Sequence, residues 1–91
     1  MLFIIKSNET HQHEQAIRFA KKEDTIVLIQ DAVLLCHNPD NKIISALKKR
    51  GAGISVLDQD LKLRGVDNNV DVKLISYEDL VTLIEQNTVF S

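Results

Sequence analysis

The sequence predicts an α/β domain built on a mainly parallel sheet of at least four strands flanked by helices. Leu2–Ile5 and Thr25–Ile29 are unbroken β-branched and leucine-rich runs with no polar alternation, the pattern of strands covered on both faces. Amphipathic stretches with helical spacing separate the apolar runs, and strand–helix–strand alternation favours parallel pairing through right-handed crossovers. With 91 residues, 44% of them hydrophobic and 26% charged, the chain has the size and composition of one globular domain, taken as residues 1–91.

The first strand, Leu2–Ile5, leads into a helix predicted from about Thr10 to Lys22. Ala16, Ile17, Phe19 and Ala20 are expected on its apolar side and the histidines near its start in solvent. After the second strand, Asp31–His37 forms a short helix or loop, closed by Asn38-Pro39-Asp40, where Pro39 disfavours an α conformation for Asn38. Asp40–Arg50 follows as a helix with Ile43, Ile44 and Leu47 facing the core. Lys48, Lys49 and Arg50 sit in its last turn, where cations complement the macrodipole, a reading favoured over phosphate binding, and Gly51 is at C′.

Ile54–Leu57 is the third strand. In the segment after it, Asp60 and Arg64 stand four apart, a spacing for a helix ion pair, and Gly65 ends that helix. Val70–Ile75, interrupted by Asp71 and Lys73, is the fourth strand, with one more exposed face. Ser76 then caps a final helix whose apolar face comes from Leu80, Leu83 and Ile84.

Patterns for self-sufficient chemistry are missing. Gly51, Gly53 and Gly65 make neither a P-loop nor a dinucleotide fingerprint, and no nucleophile elbow occurs, so no cofactor is expected. His11, His13, Cys36 and His37 lack a chelating spacing, so no metal site is expected either. Cys36 reads two ways: a small core residue, or a thiol activated at a helix start that carries a persulfide. Gln30-Asp31 follows a central strand, at the edge where open α/β sheets meet ligands and partners. It is a candidate contact there, or Asp31 is a local cap.

A net charge of −2 and a pI near 5.8 argue against a general nucleic-acid binder. A lone cysteine suits a reducing compartment. No apolar run reaches membrane-spanning length, and Met1–Lys6 does not have the form of a signal peptide. The reading is therefore cytoplasmic.

Three segments in order resemble the TusB/DsrH family of sulfur-relay proteins. They are Ile26–Val33, then Leu57-x-x-Asp60-Leu61-x-x-Arg64-Gly65, then Leu74-Ile75-Ser76-Tyr77 with Leu80-Val81 and Leu83. The resemblance covers nearly the whole chain and implies a compact α/β fold assembling with TusC/TusD- or DsrE/DsrF-like subunits. It implies an accessory role in persulfide relay, toward 2-thiolation of a tRNA wobble uridine or in dissimilatory sulfur metabolism. The main persulfide cysteine then lies on a partner. Some DsrH-like chains carry a cysteine near the position of Ala16, which Cys36 does not match, and Ala32 stands where the family often has glycine. Gln30, Asp31, Asp60 and Arg64 are the partner-binding candidates. A stand-alone homo-oligomeric binding module and direct carriage of sulfur on Cys36 are the alternative functions. No direct nucleic-acid or membrane contact is expected of this chain.

Overall fold

The computed structural model describes residues 1–7 and 10–90, with backbone alone for 10–12 and 90. Five parallel strands form one sheet in the order β4-β3-β2-β1-β5, with β1 at Leu2–Ile5, β2 at Thr25–Leu28, β3 at Gly53–Leu57, β4 at Lys73–Ile75 and β5 at Val89–Phe90. The helices are α1 (Thr10–Phe19), α2 (Lys42–Lys49), α3 (Asp58–Arg64) and α4 (Tyr77–Gln86), with a 3₁₀ segment over Gln30–Cys36.

Because side chains alternate along each strand, the sheet has two separate apolar faces. Phe3, Ile5, Ile26, Leu28 and Val56 point to one face, where they meet Ala16 and Ala20 of the α1 region, Ile44 and Leu47 of α2, Leu61 of α3 and the 3₁₀ segment. Leu2, Ile4, Val27, Leu57 and Ile75 point to the other, where Leu80 of α4 joins them. Strands β1 to β4 step across the sheet in one direction and β5 returns beyond β1. Right-handed crossovers require such a return connection to pass over the opposite face, which is where α4 lies.

The helices form close to where their sequence signals stand. Asn41 caps α2, its side chain accepting from the Ile43 and Ile44 N–H groups at 2.9 and 3.0 Å. At the end of α3, Gly65 is left-handed (φ 64), and the Val66 N–H reaches back to the Leu61 carbonyl at 3.0 Å. Gly51 is likewise left-handed, at φ 79.

Four expectations need correction. Strand β4 is shorter than Val70–Ile75, because Asp71 takes a positive φ of 56 that breaks pairing; Val70 and Val72 pack as loop residues into the first core. Helix α1 stops at Phe19, where the chain turns as Asp24 accepts the Lys21 N–H at 2.8 Å; Phe19 is 53% exposed rather than packed. His13 is buried, not solvated, with Nε2 donating to the Ser7 carbonyl at 2.8 Å; the His11 side chain lies outside the described residues. Ile84 is 41% exposed and lies outside the second core, so Leu80 and half-buried Leu83 give α4 its inward face.

Candidate functional site

At the C-terminal edge of the sheet, the turns leaving β2 and β3 lie side by side, since those strands are hydrogen-bonded neighbours. Ile29 remains extended after β2, then Gln30 takes a left-handed φ of 51, an uncommon conformation for a residue with a Cβ. The Gln30 N–H donates to Asp60 Oδ2 at 2.6 Å. Asp60 belongs to the first turn of α3, so a carboxylate thirty residues away serves as the cap that the start of the 3₁₀ segment otherwise lacks.

Asp60 also faces Arg64, its Oδ1 lying 3.7 Å from a guanidinium nitrogen. Arg64 Nε in turn donates to Asp31 Oδ1 at 3.2 Å. All four candidates from the sequence thus join in one chain of contacts: Gln30, Asp60, Arg64, Asp31. Asp60 is its inner member and Asp31 its outer one, with side chains 19% and 67% exposed. Asp31 makes its bond across to α3 and does not cap its own turn. Two carboxylates hold one guanidinium in a set orientation at the surface, which is suited to recognition rather than proton transfer.

Beside this network runs a groove of about 400 Å³. Ile4, Leu57 and Leu80 line it, with Gln30, Asp60, Tyr77 and Ile84. Tyr77 is 57% exposed although its ring is the largest apolar surface at the start of α4. Tyr77, Val81 and Ile84 repeat at helical spacing, one position away from the inward residues, so α4 carries a second apolar stripe turned outward. That stripe was visible in the spacing but merges there with the core-facing one.

Cys36 ends the 3₁₀ segment and is fully buried, and burial pushes its thiol up to about 11. Its backbone carbonyl accepts the Asn69 N–H at 2.9 Å, and the Asn69 side chain donates to the His37 carbonyl at 2.7 Å, pinning the segment under the loop after α3. His37 itself is exposed. Among the described residues, no three His, Cys, Asp or Glu side chains group as metal ligands would, and no helix is long and apolar enough to cross a membrane.

With this geometry in view, comparison with known proteins is decisive for the family. The model of the family described as DsrH-like protein matches residues 6–89, which include every member of the surface network. The chain belongs to the DsrH-like family. It is also similar to Protein TusB of Photorhabdus laumondii subsp. laumondii, at 40% identity over 62 residues, 66% of this chain and 64% of that protein. The match thus spans a little under two thirds of that relative's length. Ala16, on the inward side of α1, is buried in the first core.

Proposed function

We propose that this DsrH-like chain is an accessory subunit of a cytoplasmic sulfur-relay complex supporting 2-thiolation of a tRNA wobble uridine. Its task is to present the edge formed by Gln30, Asp31, Asp60 and Arg64, with the adjoining groove, to TusC/TusD- or DsrE/DsrF-like subunits. In such a relay a partner's thiolate attacks the outer sulfur of a persulfide, and the departing thiolate is left on the donor. This chain contributes the surface that holds donor and acceptor in register.

One observation carries the reading. A preset guanidinium lies beside a groove flanked by exposed Tyr77 and Ile84, the pairing of arginine and aromatic anchors that concentrates binding energy at protein interfaces. The burial of Cys36 supports it from the other side. A thiol enclosed and held neutral lacks both the access and the thiolate that direct sulfur carriage needs.

Native mass spectrometry with the TusC/TusD-like subunits of the same organism tests the assignment. A defined hetero-oligomer is expected, weakened tenfold or more by Arg64→Ala or Tyr77→Ala, in the range of interface hot spots (roughly 1–4 kcal/mol). Absence of any hetero-oligomer across micromolar concentrations, or a homo-oligomer indifferent to those partners, would sink it in favour of a stand-alone binding module.

A further inference from the structure

The opposite end of the molecule carries a different surface. Helices α1 and α2 both stop at the N-terminal edge of the sheet, and Arg50 ties their ends together, its Nε donating to the Ala20 carbonyl at 3.0 Å and a terminal nitrogen to the Arg18 carbonyl at 3.3 Å. Lys22 packs against Gly51, with its Cγ 3.6 Å from where a Cβ there would stand. Two segments distant in sequence, Arg18–Asp24 and Lys48–Arg50, thereby become one patch.

That patch holds 6 of the chain's 11 Lys and Arg residues and only 2 of its 13 Asp and Glu. One of the two, Asp24, is bound to the Met1 α-ammonium at 2.9 Å and to the Lys21 N–H at 2.8 Å. The net charge of −2 therefore averages over a basic end and a strongly acidic remainder. The expectation of no direct nucleic-acid contact rests on that average.

Helix macrodipoles account for part of the cluster, since Arg18, Lys48 and Lys49 sit in last turns. They do not account for Lys21 and Lys22 beyond α1, nor for Phe19. Arg50 and Lys48 are committed to backbone carbonyls, Lys48 to that of Val70. Among the described residues, Arg18, Lys21, Lys22 and Lys49 make no ion pair, and all four are exposed. Phe19 stands exposed beside Arg18 in a shallow groove shared with Glu14 and Gln15. Glu14, Glu23 and, at the far rim, Asp71 are the acidic neighbours; Lys73 lies beside Asp71.

We infer that this end binds single-stranded nucleic acid, with Arg18, Lys21, Lys22 and Lys49 on phosphates and an unpaired base on the Phe19 ring. Cations alone would fit any polyanion. An exposed aromatic ring beside Arg18, at the rim of the patch, favours a ligand that offers flat bases as well as charge. The inference goes beyond the relay role and stands or falls separately, because its residues lie at the other edge of the sheet.

Fluorescence anisotropy with labelled single-stranded RNA and DNA of about fifteen nucleotides tests it on the full chain. Binding at low salt is expected, with log K falling against log salt at a slope of about −3, roughly 0.7 for each of four neutralised phosphates. Lys21→Gln with Lys22→Gln should flatten the slope by about 1.4, while Phe19→Ala should weaken binding roughly tenfold and leave the slope unchanged. Lys62→Gln, on the α3 side, should change neither. The RNA and DNA arms report which backbone is preferred. No binding at low salt, equal binding by all variants, polyglutamate competing as well as RNA, or capture by phosphatidylserine vesicles without nucleic-acid binding would each overturn the inference.

Discussion

Cys36 shows how surroundings decide a side chain's chemistry. In sequence it is the single candidate nucleophile; in the fold it lies within the first core, its backbone carbonyl held by Asn69, and desolvation holds the thiol neutral to about pH 11. An unfolded cysteine ionises near 9, so the folded state keeps its proton over a range in which the unfolded chain loses it. Stability linked to Cys36 is thus fully present below about pH 9 and lost as the pH climbs toward 11, by up to about 3 kcal/mol. Urea titrations of wild type and Cys36→Ala should therefore converge between pH 8 and about 11; parallel curves would contradict a buried neutral thiol. The surface network differs in how much of it could be read in advance. The four-residue spacing of Asp60 and Arg64 announces their pair, and Gln30-Asp31 is marked by its place after a strand. Their union was not legible, because the bond from Gln30 to Asp60 exists only once β2 and β3 are neighbours. His13 was misread for a related reason: a polar residue near a helix start is ordinarily solvated, and its bond to Ser7 exists only in the fold.

Among the elements, α4 bears the heaviest duty, since among the described residues it is the helix that covers the second face of the sheet. Its start is a capping box. The Ser76 hydroxyl accepts the Asp79 N–H at 3.1 Å, and the Asp79 carboxylate accepts the Ser76 N–H at 3.1 Å. Ser76→Ala removes one partner and should cost about 1 kcal/mol, lowering the melting temperature by roughly 4–8 °C, as read by calorimetry. A loss indistinguishable from zero would mean that α4 is held by Leu80 and Leu83 without its cap. Ser76 was legible because an N-cap is a local signal. Strand β5 was not, since two residues at its core, Val89 and Phe90, are too few to show a period and gain their pairing only from β1. The shortening of β4 was equally hidden. Nothing local announces that Asp71 turns left-handed, a conformation Asp tolerates better than most residues.

Across the whole molecule, the two faces of the sheet are covered unequally, and two carboxylates tie chain segments together at its edges. Asp24 joins the start of β2 to the Met1 α-ammonium at the start of β1, and Asp79 fixes the entry of α4 where it leaves β4. The bond from that α-ammonium, followed by the one from the Lys21 N–H, holds Asp24 below the usual carboxylate range, while the bonds from Ser76 hold Asp79 below it. Both groups stay ionised in the fold at a pH where the unfolded chain has begun to take up protons. Their contribution is therefore present above about pH 4 and is lost as the pH falls through the folded values. Comparing urea midpoints of wild type and the Asp24→Asn, Asp79→Asn double variant from pH 7 down to about 2 isolates this contribution. The wild type should be the more stable at pH 7, and the gap should close below about pH 4 as protonation removes what the substitutions have already removed. A gap that stays constant with pH would show that the amides disturb packing instead, and that these carboxylates are not the acid-labile ties of the fold.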